Sequence, residues 1–314
     1  MIRSIEFRAM NTSVMLAAEG EGAIPGMYAA KTFIDDCEQR FSRFLPGSEL
    51  TELNHSAGDW LLISNELMEM LQLSMRYHRE TYGIFDPSIL IDLKQAGYDR
   101  SMDEIRANGA SLPSGVSKRD PRPAFQEMSF DLAANRVRLP RGLEIDLGGI
   151  AKGWIVEKAA QLLHRYVDIC GVSAGGDILF IGQPLDGMDW DVYLEDPRSP
   201  TEMLAQLHIS SGAVATSSIM KRTWSQGEKM RHHVIDPRSG EPAQTDWLSV
   251  TVISPSVITA DVYAKAILIA GEKEAPALLN AKHDLTFIAV DSEGNLSGSQ
   301  SYKEYIYEFT SEPF

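Results

Sequence analysis

The sequence predicts an α+β fold in which helices pack on antiparallel sheets. This expectation is based on two hairpin patterns. Residues 129–132 and 136–139 alternate like strands around a short polar turn, and residues 285–290 precede the turn Glu293-Gly294-Asn295. Hairpins pair consecutive strands antiparallel, and several amphipathic segments supply the helices. A doubly wound parallel sheet is the weaker alternative, because its strands are not joined by hairpins.

Two helices are predicted in the first third of the chain. The first covers residues 25–44, where Pro25 suits the first turn of a helix. Its apolar side chains recur at helical spacing and are Tyr28, Phe33, Cys37, Phe41 and Phe44. The second begins at Ser64 as N-cap and stops near Gly83. Its apolar face consists of Leu67, Met68, Leu71 and Met75.

The chain of 314 residues and 44% apolar content is long enough to bury a large core. Its length suits one large domain or two of ordinary size. No repeat or flexible linker divides the sequence, and residues 1–314 are predicted to form a single domain. Residues 100–125 contain Pro113, Pro121 and Pro123 among many polar residues. This composition predicts a long surface excursion rather than a domain boundary.

The net charge of −15 works against a broad phosphate-backbone interaction, so nucleic acid is excluded as a partner. Cys37 and Cys170 are too few for a disulfide framework and are expected to be reduced and buried. The N-terminal residues alternate like a strand and do not form the apolar core of a signal peptide. No apolar run is long enough to span a membrane. A cytoplasmic location is therefore expected.

A glycine-rich run is the most informative local feature, Asp146-Leu147-Gly148-Gly149-Ile150-Ala151-Lys152-Gly153. A strand-like stretch gives way to glycines and then to a helical pattern, which is typical of a phosphate site at a helix start. Lys152 could reach the same anion, or it could be a solvated residue of the first turn. Asp146 could orient the turn, contact a cofactor or form an ordinary Asx turn.

Three later segments also place polar groups beside small or turn residues: Ser173-Ala174-Gly175-Gly176-Asp177, His233-Val234-Ile235-Asp236-Pro237 and Thr259-Ala260-Asp261. The paired glycines would let a backbone approach a flat ligand, although a plain turn explains them equally well. His232 and His233 lie in a strand-like stretch, so at most one of them faces a site. A His there could accept a proton at neutral pH.

These four segments, in this order, resemble the FAD:protein FMN transferase family, the ApbE-type flavin transferases, over nearly the whole chain. Further matches are Phe41-Ser42-Arg43-Phe44, Leu53-Asn54, Gly83-Ile84-Phe85-Asp86-Pro87 and Ala215-Thr216-Ser217. The resemblance implies an ApbE-like, T-fold-like architecture. It also implies an enzyme that cleaves FAD, releases AMP and attaches FMN through a phosphoester to a partner protein. The acceptor is a Thr or Ser hydroxyl in the pattern Asp-Gly-x-Thr/Ser-Gly-Ala-Thr/Ser.

The same resemblance assigns roles to residues of this chain. His233 and Asp261 are the implied catalytic residues. The implied FAD-binding residues are Asn54, Asp146, Gly148, Gly149, Lys152, Gly175, Gly176, Asp177, Thr216, Ser217 and Asp236. An implied Mg²⁺ would be held by Asp261 and the backbone carbonyl of Gly149.

Three residues depart from the family pattern: Ser173 replaces Asn, Ser218 replaces Gly and Lys265 replaces a Thr metal ligand. An ammonium cannot ligate a metal, so Lys265 puts both Mg²⁺ binding and activity in question. Asp261 and Lys265 are either a solvated ion pair or an ammonium in the place of the cation. The leading interpretation is a flavin transferase. The alternatives are an FAD-binding protein with lost or metal-independent catalysis and an FAD pyrophosphatase.

Overall fold

The computed structural model describes residues 1–111, 122–184, 187–280, 282 and 284–309. The chain divides into two compact units. Unit 1 comprises Met1–Asp36, Lys152–Met220 and Thr245–Phe314, and unit 2 comprises Cys37–Ala151 and Lys221–Gln244. The single domain over 1–314 stays a prediction. Residues 112–121 of the expected surface excursion lie outside the described residues.

The described residues form seven α-helices. In chain order they are α1 (Ala23–Phe41), α2 (Glu49–His55), α3 (Asn65–Glu80), α4 (Leu90–Gln95), α5 (Met102–Asn108), α6 (Ala151–His164) and α7 (Val257–Leu279). None of these helices is both long enough and apolar enough to cross a bilayer.

The strands belong to one large sheet and several small ones. In chain order they are β1 (Ile2–Ala9), β2 (Thr12–Glu19), β3 (Leu61–Leu62), β4 (Ser129–Asp131), β5 (Arg136–Arg138), β6 (Ile169–Ala174), β7 (Asp177–Ile181), β8 (Trp190–Asp196), β9 (Ser199–Ile209), β10 (Gly212–Ser218), β11 (Thr223–Gln226), β12 (Lys229–His232), β13 (Ile235–Asp236), β14 (Glu241–Pro242), β15 (Trp247–Ser254), β16 (Thr286–Asp291), β17 (Leu296–Gly298) and β18 (Ile306–Phe309).

Unit 1 is built on an eight-stranded sheet in the order β1-β2-β6-β7-β10-β15-β16-β17. Every neighbouring pair is antiparallel. Helix α7 packs against β7, β10 and β15. A second sheet, β18-β9-β8, contributes Trp190 and Leu207 to an apolar cluster that also contains Val214 and Ile253 of the large sheet. The predicted α+β class is confirmed.

Unit 2 contains α2 to α5, the sheet β3-β5-β4 and the hairpins β11–β12 and β13–β14. One of its apolar clusters joins Leu93 and Tyr98 to Trp224 and Ile235. The Trp224 indole also donates to the carbonyl of Ala96 at 2.8 Å. This cluster and this hydrogen bond hold the segment after Met220 against the helical part of unit 2.

Both predicted hairpins are confirmed, as β4–β5 and β16–β17. The predicted Ser64 N-cap is also confirmed, because its hydroxyl accepts the Leu67 amide at the start of α3. Helix α1 ends at Phe41, three residues before the predicted end. The Ser42 hydroxyl accepts the Phe44 amide at 3.3 Å, and such a local side-chain bond competes with a further helical turn.

Candidate active site

The predicted site residues are divided between the two units. Unit 1 holds Lys152, Asp177 and Asp261 together with Lys265. These four residues form a buried ionic cluster, named here the ionic cluster. Asp177 and Asp261 are almost fully buried, whereas about a fifth of each lysine side chain is exposed to solvent. Buried carboxylates require such partners, because desolvation strongly disfavours an unpaired charge.

Two ion pairs build the ionic cluster. The Lys152 ammonium pairs with Oδ2 of Asp177 and lies 3.3 Å from the carbonyl oxygen of Ala174. The Lys265 ammonium pairs with Oδ1 of Asp261 and lies 3.3 Å from the backbone carbonyl oxygen of the same Asp261. The spacing of four residues on α7 brings Asp261 and Lys265 to the same face of the helix.

Helix α6 meets α7 at Gly153. The Gly153 amide donates to Oδ2 of Asp261 at 3.2 Å. A Cβ at Gly153 would lie 2.9 Å from the Val257 carbonyl oxygen and 3.0 Å from the Asp261 Cβ, so no larger residue fits without a shift. The Glu157 carboxylate accepts the Ser256 hydroxyl at 2.6 Å, one turn further along α6. These contacts place the first turn of α6 directly over Asp261.

The charge of Asp261 acts on Asp177. Burial, followed by the nearby negative charge of Asp261, raises the pKa of Asp177 above its usual range. Lys152 and Lys265 oppose this shift, which means that both ammonium groups act on Asp177. Oδ1 of Asp177 is buried and has no hydrogen bond among the described residues. The ionic cluster therefore brings both ammonium groups and both carboxylates within electrostatic reach of one another.

The glycine pair of unit 1 forms a tight hairpin turn. Gly175 and Gly176 have φ values of +60° and +94° and connect β6 to β7, with Ala174 paired to Asp177. Two positive φ values are typical of a type I′ turn, in which a side chain is strained. The plain turn that was expected as the alternative to a ligand contact is thus present in the structure. This turn places Asp177 at the first position of β7. A contact of these glycines with a ligand stays a prediction.

Thr216 and Ser217 lie next to each other on β10. The Thr216 hydroxyl is 2.8 Å from that of Thr251 on β15. Successive side chains of a strand point to opposite faces, so at most one of Thr216 and Ser217 can face a given ligand. Ser218, which replaces the Gly of the family pattern, donates its hydroxyl to the carbonyl of Leu248 at 3.0 Å. This hydroxyl is therefore bonded to the backbone.

In unit 2, Asp146 shapes the turn that precedes α6. Its Oδ1 accepts the Gly148 amide at 2.8 Å, and its Oδ2 lies 2.7 Å from Nε of Arg43. The Asn54 amide holds both backbone groups of Ile145, accepting from its N–H at 2.8 Å and donating to its carbonyl at 2.9 Å. Arg43 and Asn54 thus fix the chain just before the Gly148–Gly149 turn.

Sequence reasoning missed the role of Arg43. Its guanidinium lies over the rings of Phe44 and Tyr98, at 4.1 and 4.5 Å from their centroids, and its side chain is 7% exposed. Its Nη2 is buried without a hydrogen bond among the described residues. The available signal was an Arg between aromatic residues in the segment Phe41-Ser42-Arg43-Phe44, a common setting for cation–π contacts.

The two histidines are placed differently in unit 2. His232 ends β12, and its Nε2 is 3.2 Å from the carbonyl oxygen of Ala243. Burial lowers the pKa of His232, because it disfavours the charged form of the ring. His233 is half-buried in the connection between β12 and β13. Asp236 binds Arg238 through both carboxylate oxygens at 2.9 Å, so its side chain stabilises the following turn.

The donor set around Asp261 does not fit Mg²⁺. Oδ1 is paired with an ammonium and Oδ2 accepts the Gly153 amide. The residue one turn later supplies a cation instead of an oxygen ligand, whereas Mg²⁺ demands near-octahedral oxygen coordination. Among the described residues, no group of three or more His, Cys, Asp and Glu side chains could hold a metal ion. The Gly149 carbonyl belongs to unit 2, and its role as a ligand stays a prediction.

Comparisons with known proteins agree on one family. The model of the ApbE family matches residues 10–289. The FAD:protein FMN transferase of Treponema pallidum is 27% identical over 84% of this chain and 75% of its own length. The enzyme of the same name from Klebsiella pneumoniae is 28% identical over 77% of this chain and 75% of its own length.

Solved structures show the same fold. The ApbE protein of Thermotoga maritima has a TM-score of 0.86 at 24% identity and covers 98% of this chain and 100% of its own. The flavin transferase ApbE of Vibrio cholerae has a TM-score of 0.80 at 21% identity and covers 97% of this chain and 99% of its own. The expected ApbE-like architecture is confirmed.

Proposed function

Because the chain belongs to the ApbE family, we propose that it is an FAD:protein FMN transferase, the activity for which its relatives are named. In this reaction a Thr or Ser hydroxyl oxygen of a partner protein attacks the phosphorus of the FMN half of FAD. The pyrophosphate bond to the AMP half breaks, and AMP leaves with the bonding electron pair. The hydroxyl proton passes to a base, and a phosphoester joins FMN to the acceptor.

The observation that carries this proposal is the ionic cluster at the first turn of α6. Lys152 is held there by Asp177 and the Ala174 carbonyl, yet a fifth of its side chain stays exposed. An ammonium held at the start of a helix is suited to a phosphate, since it adds a point charge to the positive end of the helix dipole. We assign the pyrophosphate of FAD to this end of α6, with Asp177 orienting Lys152 rather than touching the anion.

His233 is the proposed base. An imidazole can accept a hydroxyl proton near pH 7, and His233 is half-buried in the connection between β12 and β13. The family pattern selects His233 rather than the neighbouring His232 for this role, and the His232 Nε2 lies 3.2 Å from the Ala243 carbonyl oxygen.

The remaining candidates are assigned supporting roles toward FAD. Asn54 and Asp146 act by fixing the backbone ahead of α6, and Gly148 and Gly149 keep Cβ atoms away from the turn. The proposed contacts of the flavin or its ribityl chain are Gly175, Gly176, Thr216, Ser217 and Asp236. For Thr216 and Ser217, strand alternation limits the contact to one of the two side chains.

We derive no step through a metal, because the donor set at Asp261 does not fit one. The proposed charge stabilisation comes from the two ammonium groups of the ionic cluster. Phosphoryl transfer depends mainly on positioning and on neutralising the developing charge, so ammonium groups support it less strongly than a divalent cation does. We therefore expect slow transfer that persists in the presence of a chelator.

The proposal is tested with the purified chain, FAD and a protein that carries the pattern Asp-Gly-x-Thr/Ser-Gly-Ala-Thr/Ser. Covalent FMN on the acceptor is read by intact mass and flavin fluorescence in a denaturing gel, and AMP by chromatography. His233→Ala should abolish transfer and retain FAD binding, while the exposed His164→Gln serves as a control. FAD retention without transfer under all conditions would favour a flavin-binding protein. FMN and AMP release without an adduct would favour a pyrophosphatase.

A further inference from the structure

We propose that the Lys265 ammonium is a built-in replacement for a divalent cation. On this proposal the chain binds no divalent cation at Asp261, and the single substitution Lys265→Thr creates such a site. The role toward phosphate rests on the proposed function, but the binding of a metal by the flavin-free chain does not.

The contacts of Asp261 support this proposal. Oδ1 pairs with Lys265, Oδ2 accepts the Gly153 amide, and the backbone carbonyl lies 3.3 Å from the Lys265 ammonium. A cation at Oδ1 would have to occupy the place of the ammonium. The Lys265 side chain is only 19% exposed, so it is held inside the cluster and not extended into solvent.

The charges of the ionic cluster lead to the same conclusion. Two carboxylates and two ammonium groups cancel formally, and Lys265 acts on both Asp261 and Asp177. A divalent cation added beside Lys265 would leave a buried site with two excess positive charges. Coulomb repulsion in a poorly solvated site is large, and it opposes this addition.

Removal of the Lys265 ammonium gives the ionic cluster a net negative charge. In Lys265→Thr the cluster has two carboxylates and only Lys152, and Thr adds a hydroxyl oxygen one helical turn from Asp261. A hard divalent cation is attracted by such an arrangement of oxygen atoms and net negative charge. The identity of residue 265 thus determines whether a metal binds.

The experiment measures Mn²⁺ binding to the flavin-free chain by electron paramagnetic resonance, with competition by Mg²⁺. Five proteins are compared: the native chain, Asp261→Asn, Lys265→Thr, the double variant Lys265→Thr/Asp261→Asn, and Lys273→Thr. The last is a matched control, since Lys273 is an exposed lysine of the same helix. Circular dichroism verifies the fold of each variant.

We expect native chain, Asp261→Asn and Lys273→Thr to bind Mn²⁺ with the same weak affinity. Lys265→Thr should bind at least about tenfold more tightly because the repulsion is gone, and the double variant should lose this gain. Mn²⁺ binding by the native chain that Asp261→Asn abolishes would overturn the proposal. So would a folded Lys265→Thr that binds no better than the native chain. The native and Asp261→Asn titrations decide the question even where Lys265→Thr fails to fold.

Flavin transfer is measured separately, so the two proposals can fail independently. A native chain that transfers FMN and also binds Mn²⁺ through Asp261 would refute only the replacement by Lys265. A chain that neither transfers FMN nor binds Mn²⁺ would refute only the transferase.

Discussion

Replacement of Lys152 by Met removes one charge of the ionic cluster and leaves Asp177 buried without its ammonium. Loss of one partner of a buried pair costs about 3–5 kcal/mol. Two features reduce the cost here: a fifth of the Lys152 side chain is exposed, and the raised pKa of Asp177 eases its neutralisation. We expect a loss of about 2–3 kcal/mol in the free energy of unfolding and a Tm lower by roughly 5 °C.

The same substitution tests the placement of the pyrophosphate. A desolvated charge-assisted contact is worth about 1.5–3 kcal/mol, which corresponds to a roughly 10- to 150-fold weaker Kd for FAD. Adding Asp177→Asn to Lys152→Met removes the uncompensated carboxylate, so part of the Tm should return. The FAD affinity of this double variant should stay weak, because the phosphate contact is still missing.

Fluorescence titration with FAD and differential scanning calorimetry are the two assays. Lys158→Met is the matched control, because it removes a lysine from the same helix outside the ionic cluster. An unchanged FAD Kd in a folded double variant would refute the phosphate role of Lys152. An unchanged Tm in the single variant would refute the structural role of the buried pair.

Four further outcomes are expected. Gly153→Ala should lower the free energy of unfolding by about 1–3 kcal/mol in urea, because its Cβ would meet the Val257 carbonyl oxygen at 2.9 Å and this overpacking exceeds the gain in helix propensity. Burial lowers the pKa of His232 in the folded state from its ordinary value of 6.5, so His232 contributes stability that is complete above about pH 6.5 and is lost as pH falls below it; His232→Gln should flatten this part of a Tm-against-pH curve. Burial raises the pKa of Cys170 to about 12, so iodoacetamide should modify it only after denaturation, as mass spectrometry would show. The chain alone with FAD should acquire no covalent FMN, because Ser211 directly precedes β10 and its neighbours are held in the sheet; an adduct in intact mass would contradict this.

Local chemistry predicted the secondary structure well. The Ser64 cap and the two hairpins depend on residues within a few positions of each other, and each is present in the structure. Helix α3 ends at Glu80, three residues before the predicted stop at Gly83, and Thr81 is its C-cap. The end of α1 was placed too late because the apolar spacing continues to Phe44 while a local hydroxyl–amide bond ends the helix earlier. Periodicity reports which face is buried, and it is insensitive to such a bond.

The partners of the candidate residues could not be predicted, because they come from distant parts of the sequence. Asn54 binds Ile145, which is 91 positions away, and the Gly153 amide binds Asp261 across 108 positions. Lys152 was predicted as a phosphate ligand, yet its partner Asp177 was considered only as a ligand of the cofactor. Spacing restricts which residues share a helix face or a strand face, but it does not state which elements meet.

For Lys265, however, the sequence contained a signal that would have chosen between a solvated pair and a buried ammonium. Residues 257–270 of α7 contain only two charged residues, Asp261 and Lys265, among small and apolar side chains. A helix that is apolar all round is buried, and two opposite charges one turn apart in a buried helix must pair. The solvated alternative required a polar face that this helix lacks. The apolar surroundings therefore indicate the buried ion pair that the structure contains, and they explain why Lys265 cannot easily leave Asp261 to a metal.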